Sequence, residues 1–387
     1  MAARDVPADF EWRPGPRLVV GPGSVARLGA LARELGGRRA LVVSDPGIVE
    51  AGHAAAGQEA LEAAGVATAV FSAFAENPTE TQVAAGAAAA RDFRPDLLVG
   101  LGGGSSMDCA KGINFVFCGG GRMRDYAGRG TANAALLPSI GVPTTAGTGS
   151  ETQSFALITA DDTGMKMACG DPRAAFRVAI LDVNLTLTQP LTLAALTGVD
   201  ALAHAVESHV SRSATPASRM CSREAWRLLA TNLPTLFTDG GGTIAARAAV
   251  QFGAALAGLA IENAMLGAAH ALANPLTAAH GVVHGQAVGV MLPHVVRFNG
   301  ATSGLGYAEL LADVGTAAPA EAAGARLADW ITSLLTAAGL KTSLRGLGIA
   351  DPDVPALAAG AAGQWTAGHN PRPVAATDLA ALYEAAR

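Results

Sequence analysis

The sequence predicts an α/β domain with a parallel sheet over residues 1–188, followed by an all-α domain over residues 189–387. A chain of 387 residues is long enough for two domains. In the first half, short β-branched runs alternate with longer Ala-rich helical stretches, an order that is typical of βαβ units. After Pro190 the strand-like runs stop and only helical periodicity remains. We therefore expect the fold class to change near residues 185–190.

Each strand-like run in the first half is bounded by Gly, Pro, Asp or Asn. These runs cover residues 39–45, 66–74, 95–105, 137–145 and 176–182. Pro78 and Thr79 open the clearest helix between them, over 79–92. In the second half, helical patterns cover residues 191–211, 216–236, 243–273, 284–297, 305–315 and 319–338.

Composition and charge argue against several classes of protein. Half of the residues are hydrophobic and 15% are charged, with a net charge of −5 and a pI of about 5.9. Because no basic stripe is available to neutralise phosphates, we expect no nucleic-acid partner. The first residues lack the apolar core of a secretory signal, and no uncharged apolar run of about 18 residues predicts a membrane span. The four cysteines form no C-x-x-C pair, which indicates reduced thiols and a cytoplasmic protein.

A glycine-rich turn follows the third strand-like run, in VGLGGGSSMD at 99–108. Glycines let the backbone approach a pyrophosphate closely, and the helix that follows offers free N–H groups and the positive end of its dipole. We expect Ser105 to be the N-cap and Asp108 to cap the same first turn. The spacing is not G-x-G-x-x-G, because Met107 stands at the third glycine position. An ordinary strand-to-helix turn is the alternative interpretation.

Two further loops favour a nucleotide. Asp45 ends the first strand-like run, where an acid can bind ribose hydroxyls and repel a 2′-phosphate, although it can also simply cap the turn before Pro46. The loop PTTAGTGSE at 143–151 supplies glycines and small hydroxyls, although Thr144 and Thr145 also suit an edge strand. Three such loops at the carboxyl ends of strands in one sheet favour nucleotide binding, because open α/β sheets bind ligands there.

An acid and an imidazole lie one turn apart in the helical pattern GVDALAHAVESHV, residues 198–210. Asp200 and His204 are four residues apart and share a face, and Glu207 falls on that face one turn later. His209 points nearly opposite Asp200. A lone histidine on an apolar helix is more often a hydrogen-bonded core residue than a ligand, so this pair needs support from the rest of the chain.

That support comes from the segment GAAHALANPLTAAHGVVHG, which contains His270, His280 and His284. His270 and His284 are too far apart to share an ion on one straight helix, but a proline and a glycine between them allow the chain to turn back. Together with Asp200 and His204, this pair forms the spacing D-x3-H…H-x13-H. One carboxylate and three imidazoles suit a divalent transition metal such as Fe²⁺ or Zn²⁺. A buried cation would also explain an acid on an apolar helix.

Over nearly its whole length the chain resembles the iron-containing (group III) alcohol dehydrogenases. The matching pieces are GPGSVARLG, VVSDPG, ENPT, GGGSSMD, PTTAGTGSE, LDVNLTLTQP, TGVDALAHAVE, the histidine segment and HNPRPV. The resemblance implies the dehydroquinate synthase-like / iron alcohol dehydrogenase fold, with a metal between a nucleotide-binding α/β domain and a helical domain. Asp200, His204, His270 and His284 match the four metal-ligand positions of that family.

The resemblance also implies binding of NAD(H). The matching contact positions are Asp45, Asn77, Gly103, Gly104, Ser105, Asp108, Thr144, Thr145, Lys166 and Leu185. The charge of Asp45 favours NAD over NADP. Two positions depart from the family: Asn274 stands where a histidine is usual, four residues after the third ligand, and Val183 replaces a common proline, with only a local effect expected. His280 is the nearest replacement for a proton relay, so we expect His280 and His284 to be the catalytic histidines.

The implied function is reversible hydride transfer between a small alcohol or aldehyde and NAD(H), with the metal acting as a Lewis acid on the substrate oxygen. Maleylacetate reductase-like and glycerol dehydrogenase-like enzymes of the same fold are the nearest alternatives, and the complete four-ligand spacing counts against both. A non-catalytic nucleotide-binding protein is a distant alternative, because neither the ligands nor the glycine turn is lost. A homodimer is expected from the resemblance alone. The residues leave open whether the substrate is a simple primary alcohol or a functionalised aldehyde.

Overall fold

The computed structural model describes residues 9–238 and 241–387. Contacts divide the described chain into two compact units: one is Gly15–Gln189, and the other consists of Pro190–Arg387 with residues 9–14. The first unit holds the described strands, and the second is helical. All four cysteines are free thiols.

Strands and helices alternate along the α/β unit. Its strands are β1 (Arg17–Val20), β2 (Arg39–Val43), β3 (Ala67–Phe71), β4 (Leu97–Gly102), β5 (Gly128–Arg129), β6 (Ser139–Pro143), β7 (Phe155–Thr159), β8 (Lys166–Gly170) and β9 (Val178–Leu181). Its helices are α1 (Leu28–Glu34), α2 (Pro46–Glu50), α3 (His53–Ala63), α4 (Glu80–Phe93) and α5 (Gly104–Gly119). The main sheet has the order β1-β9-β6-β4-β2-β3 with parallel pairing throughout, and a smaller sheet has the order β5-β8-β7.

Both faces of the main sheet are buried, as parallel sheets require. Leu41 and Val43 of β2 pack with Ile113 of α5 in one apolar cluster. Val42 lies between them in the strand and packs on the opposite face with Leu61 of α3 in a second cluster. The period-2 alternation of a strand sends neighbouring residues to opposite faces, and here both faces are apolar. This explains why the central strands read as continuous hydrophobic runs.

The strand order reverses between β2 and β4. From β2 the chain crosses to β3 at one edge of the sheet, returns to β4 on the other side of β2, and continues outward to β6. In an open parallel sheet the crevice at such a reversal, outside the carboxyl ends of the strands, is where ligands bind. The loops after β2 and β4 flank this crevice.

The sequence predicts β2, β3, β4, β6 and β9, and each is present. It does not predict β1, β5, β7 or β8, none of which exceeds five residues. Length alone does not explain these omissions, because β2, β3 and β6 also have five residues and β9 has four. The predicted strand over 95–105 is too long, because Gly102 adopts φ 148° and turns the chain into α5.

The second unit is formed by helices. They are α6 (Leu191–Val210), α7 (Pro216–Thr238), α8 (Ile244–Ala264), α9 (Ala268–His280), α10 (His284–Asp313), α11 (Ala320–Ala337), α12 (Val354–Ala362) and α13 (Ala376–Ala385). α6, α7 and α11 follow the predicted patterns closely. The sequence patterns did not predict α12 and α13.

Two helix predictions were wrong in opposite ways. The pattern over 243–273 forms two helices, because Met265 takes the left-handed φ of 75° and ends α8 before α9 begins. The patterns at 284–297 and 305–315 form one helix, α10. A Cβ at Gly304 would lie 2.1 Å from the carbonyl oxygen of Ala320, so this glycine permits close packing of α10 against the start of α11 and does not break α10.

A close helix contact holds the start of α10 against α6. A Cβ added at Gly285 would lie 2.3 Å from the carbonyl oxygen of Leu196, a clash with backbone that cannot swing aside. Only a glycine allows the two backbones to approach this closely. The contact brings His284, the first residue of α10, towards the face of α6 that carries Asp200.

In the part of the chain that the structure describes, α8 is the one helix long and apolar enough to cross a membrane, judged by length and composition alone. Its most apolar window has a mean hydropathy of 1.6, and 67% of that window is buried. A core helix of a soluble protein has the same properties, so this observation is weak evidence for a membrane span.

Candidate metal centre and nucleotide loops

Three helices of the second unit bring one carboxylate and three imidazoles together. Asp200 and His204 lie on α6, His270 is in the first turn of α9, and His284 begins α10. Oδ1 of Asp200 lies 3.2 Å from Nε2 of His270, 3.5 Å from Nε2 of His204 and 3.8 Å from Nε2 of His284. The four residues that the sequence predicts as metal ligands therefore converge around one carboxylate oxygen.

The cluster is buried on one side and open at His284. Asp200, His204 and His270 are buried, whereas the side chain of His284 is 28% exposed. His284 is therefore the most accessible of the four side chains.

The electrostatics of the cluster favour positive charge. Burial alone would raise the pKa of the Asp200 carboxyl, but the surrounding imidazoles outweigh it and hold that pKa below its usual range. Burial alone would lower the pKa of His270, but the carboxylates of Glu207 and Asp200 outweigh it and raise the pKa to about 9. A bound cation would satisfy the same two carboxylates without protonating an imidazole.

The donor set fits a divalent transition metal. Asp200, His270 and His284 each offer one ligand atom, and these atoms lie within 4.8 Å of one another. Donors at about 2.1 Å from one ion lie up to about 4.2 Å apart, so small side-chain adjustments would close the shell. Carboxylate and imidazole donors suit Fe²⁺ and Zn²⁺.

His280 and Asn274 occupy different surroundings on α9. His280 is the last residue of α9 and is exposed, and within the described chain no hydrogen bond or ion pair joins it to Asp200. Asn274 lies one turn after His270 on the same face, and its Nδ2 donates to Oε1 of Gln364 at 2.9 Å. No local pattern predicts the contact with Gln364, because the two amides are 90 residues apart.

In the α/β unit, the N-terminus of α5 is uncapped. β4 ends at Gly102, Gly103 is the N-cap, and no side chain within the described residues caps the helix. The expected N-cap at Ser105 is therefore wrong: Ser105 lies in the first turn, and its Oγ accepts a hydrogen bond from the main-chain N of Asn77 at 3.1 Å. The free N–H groups and the positive dipole end suit a pyrophosphate.

Asp108 also differs from expectation. It does not cap the first turn of α5; its Oδ1 accepts a hydrogen bond from Oγ of Ser150 at 2.6 Å. Burial raises the pKa of the Asp108 carboxyl, although the charges of Lys111 and Lys166 oppose this rise. Lys111, itself buried, donates from Nζ to the carbonyl oxygen of Ser150 at 2.7 Å. This network was not predicted from the sequence, although Lys111 follows Asp108 at the i,i+3 spacing that shares a helix face.

Asp45 links the end of β2 to α5. Its Oδ1 accepts from the main-chain N of Ile48 at 3.2 Å, so it does cap α2. Its Oδ2 accepts from Oγ of Ser106 at 2.9 Å. Asp45 therefore caps α2 and also lies at the strand reversal, where Ser106 orients its carboxylate beside the glycine turn.

The loop after β6 lies against the same turn. Thr144 and Thr145 follow a central strand, so the edge-strand alternative is wrong. The main-chain N of Thr144 donates to the carbonyl oxygen of Gly102 at 3.0 Å. The Oγ1 of Thr144 is buried and has no hydrogen-bond partner among the described residues. An unpaired buried hydroxyl beside an uncapped helix N-terminus fits a polar ligand.

The remaining predicted nucleotide contacts lie in the same unit. Asn77 has a left-handed φ of 57°. Lys166 begins β8, and Leu185 is buried in the 3₁₀ turn after β9. Val183, which departs from the family proline, begins that turn and is buried.

Comparison with known proteins agrees with this architecture. The model of the family "Iron-containing alcohol dehydrogenase" matches residues 15–183, and the model "Fe-containing alcohol dehydrogenase family, C-terminal" matches residues 194–387. The chain is 33% identical over 376 residues to an NAD-dependent methanol dehydrogenase of Bacillus methanolicus, covering 95% of this chain and 97% of that protein. It is 34% identical over 371 residues to a 1,3-propanediol dehydrogenase of Klebsiella pneumoniae, covering 95% and 96%.

Solved structures give the same result. The crystal structure of a 1,3-propanediol oxidoreductase superposes with a TM-score of 0.94 at 34% identity, covering 98% of this chain and 100% of that one. The chain therefore belongs to the iron-containing alcohol dehydrogenase family. It is an oxidoreductase that acts as an alcohol dehydrogenase or aldehyde reductase.

The central carboxylate gives a test of the metal centre. We expect Asp200→Asn to weaken divalent-metal affinity by more than about 100-fold, a larger loss than removal of a partner outside the ligand shell causes. The variant keeps the shape of the side chain but removes the charge that three imidazoles surround. Affinity is measured by competition with a chelator, and bound metal by mass spectrometry.

Asp329→Asn is the matched control for this experiment, because Asp329 lies in the same unit with its side chain 71% exposed. The control should bind metal as the unmodified protein does. Equal affinity in the Asp200 and Asp329 variants would mean that Asp200 is not a ligand.

Proposed function

We propose that this protein catalyses the reversible, NAD(H)-linked interconversion of small alcohols and aldehydes at a divalent metal, Fe²⁺ or Zn²⁺. One observation carries the proposal: three imidazole nitrogens lie within 3.8 Å of one buried carboxylate oxygen. The ligands would be Asp200, His204, His270 and His284. Membership of an iron-containing family favours Fe²⁺.

The residues of the helical unit would prepare the substrate oxygen for reaction. When bound, the cation would supply Lewis-acid stabilisation of the negative charge that develops on that oxygen. Asp200 keeps its negative charge in a buried environment because the imidazoles surround it. The partial exposure of His284 supports entry of the substrate at that side of the cluster.

The residues of the α/β unit would hold the dinucleotide. When bound, the nicotinamide would accept or donate the hydride. The uncapped N-terminus of α5 would bind the pyrophosphate, and the unpaired hydroxyl of Thr144 would donate to it or to a ribose. Asp45, oriented by Ser106, would accept from ribose hydroxyls and repel a 2′-phosphate, which supports NAD over NADP. The relative from Bacillus methanolicus is named an NAD-dependent methanol dehydrogenase, which agrees with NAD as the cofactor.

We propose that His280 carries the alcohol proton. Asn274, which stands where the family usually has a histidine, has an amide side chain that cannot do so. His280 lies at the exposed end of α9, four residues before His284. The expected effect of His280→Ala is a loss of turnover on the order of 100-fold and a changed pH profile, as for removal of a general acid–base group. Steady-state rates between pH 6 and 9 provide the measurement. Full turnover across that range would remove His280 from the mechanism.

The proposed reaction is tested by reconstitution. Metal-stripped protein is reloaded under anaerobic conditions with Fe²⁺, Zn²⁺, Mn²⁺ or no metal, and NADH oxidation is followed with a panel of small aldehydes. We expect Fe²⁺ or Zn²⁺ to restore activity, because the donor set suits these ions. The metal-free sample should stay inactive.

Equal activity with and without metal would contradict the proposal and favour a metal-independent, maleylacetate reductase-like reaction. Tight binding of NADH and metal without turnover of any aldehyde would contradict the proposed substrate class. Asp200→Ala, reloaded in parallel, separates activity at this centre from activity of contaminating enzymes.

The Asn274–Gln364 pair supports a preference for substrates with a second polar group. The two amides are joined by one hydrogen bond of 2.9 Å, and Asn274 is one helical turn from His270. A pair of amides leaves further donors and acceptors for a ligand. The relative that is named a 1,3-propanediol dehydrogenase agrees with a hydroxylated substrate.

Asn274→Leu tests this preference by removing the amide at similar volume. We expect the ratio of kcat/KM for 3-hydroxypropanal over propanal to fall about tenfold, the effect of losing one hydrogen bond to the substrate. Asn232→Leu is the control, because the Asn232 amide is half-buried in α7 and, among the described residues, donates to the carbonyl oxygen of Leu228 in its own helix. An unchanged ratio in Asn274→Leu would mean that the amide pair does not contact the substrate.

A further inference from the structure

We propose that Glu207 is a positioning residue of the metal centre. It orients His270 and supplies the second negative charge that balances a divalent cation. The proposal rests on the metal centre of the proposed function. It goes beyond the four ligands, because Glu207 would act on the metal only through His270.

The first observation is a buried carboxylate–imidazole contact. Oε2 of Glu207 accepts a hydrogen bond from Nδ1 of His270 at 2.5 Å, and both side chains are buried. On the other side of the ring, Nε2 of His270 faces Oδ1 of Asp200 at 3.2 Å. A carboxylate that accepts from one ring nitrogen leaves the other nitrogen to bind the metal, and it raises the basicity of that nitrogen.

The second observation is that Glu207 also holds the start of α9. Its other oxygen, Oε1, accepts from the main-chain N of Ala269 at 2.7 Å, in the first turn of that helix. Gly267 is the N-cap and provides no side-chain cap, so Glu207 satisfies an N–H group that the helix leaves unpaired. A negative charge at this position also interacts favourably with the helix dipole. The Glu207 side chain therefore positions both α9 and the imidazole ring of His270, which lies on α9.

The glycine at position 267 lets two side chains approach the start of α9 closely. A Cβ at Gly267 would lie 3.0 Å from Oε1 of Glu207 and 3.0 Å from Oδ1 of Asn370. Asn370 in turn accepts from the main-chain N of Ala268 at 3.2 Å, next to the bond made by Glu207. The start of α9 is thus held from α6 by a carboxylate and from the C-terminal region by an amide.

The third observation concerns charge. Asp200 and Glu207 lie on one face of α6, are both buried, and both contact His270. Within the described residues, the partners of the Glu207 carboxylate are His270 and the main chain of Ala269. Two carboxylates around neutral imidazoles match the charge of one divalent cation, whereas one carboxylate would leave a buried net positive charge.

The test compares metal affinity in the unmodified protein and in Glu207→Gln. The carboxylate accepts with a different oxygen from each of Ala269 N and His270 Nδ1, whereas an amide replaces one of these oxygens by an NH2 donor and carries no charge. We expect affinity for Co²⁺ and Zn²⁺, measured by chelator competition, to fall about 10- to 100-fold. The visible absorption of the Co²⁺ protein should also change, because the orientation of one imidazole changes.

Glu309→Gln is the matched control, because Glu309 pairs with His209 in the same unit at 3.5 Å, away from the four ligands. It should leave metal affinity and the Co²⁺ spectrum unchanged. Circular dichroism and NADH binding report whether each variant is folded. If Glu207→Gln is not recovered in folded form, Gly267→Ala serves instead, because its methyl group displaces the Glu207 carboxylate without removing charge.

The outcomes separate this inference from the proposed function. Weaker metal binding in the Glu207 or Gly267 variant, with Glu309→Gln unchanged, supports the role of Glu207. Unchanged affinity and an unchanged Co²⁺ spectrum in a folded Glu207→Gln, or in Gly267→Ala, overturn it while leaving the metal centre in place. Failure of the unmodified protein to bind any divalent metal overturns the metal centre itself.

Discussion

The removal of the Asp200 carboxylate from water is the constraint on which the helical unit depends. An isolated buried carboxylate is destabilising by several kcal/mol, so the surrounding groups must compensate for it. The compensation comes from imidazoles on three helices, with each Nε2 within 3.8 Å of one oxygen. Asp200 and His204 lie in the middle of α6, whereas His270 and His284 lie in the first turns of α9 and α10. The cluster therefore depends on where α9 and α10 begin.

The backbone at two positions helps to bring histidines to Asp200. Met265 leaves the helical conformation and ends α8, which allows α9 to start afresh with His270 in its first turn. Gly285 lets α10 approach the backbone of α6, which brings His284 to the cluster. Such sites are tolerant of few substitutions, because a larger residue would have to move a main chain and not merely a side chain.

In the α/β unit, hydrogen bonds fix polar groups in position around the uncapped N-terminus of α5. The buried Lys111 and the carboxyl of Asp108 both bond Ser150, which ties the loop after β6 to α5. Ser106 orients Asp45 across the strand reversal. These contacts leave the N–H groups of the first turn of α5 and the hydroxyl of Thr144 for a ligand. Preorganisation of this kind reduces the entropy that a ligand must lose on binding.

The sequence by itself determined the class of fold, the strand-to-helix glycine turn and the pairing of Asp200 with His204 on one helix, because these depend on local periodicity and short spacings. Asp200 and His204 share a face for no reason other than the pitch of a helix. Only the tertiary structure decided the break at Met265, the continuity of α10 and the true N-cap at Gly103. It alone also revealed the contacts of His270 with Glu207 and of Asn274 with Gln364, which join residues 63 and 90 positions apart. Pairs at such separations depend on how helices pack, and no local pattern in the chain records that packing.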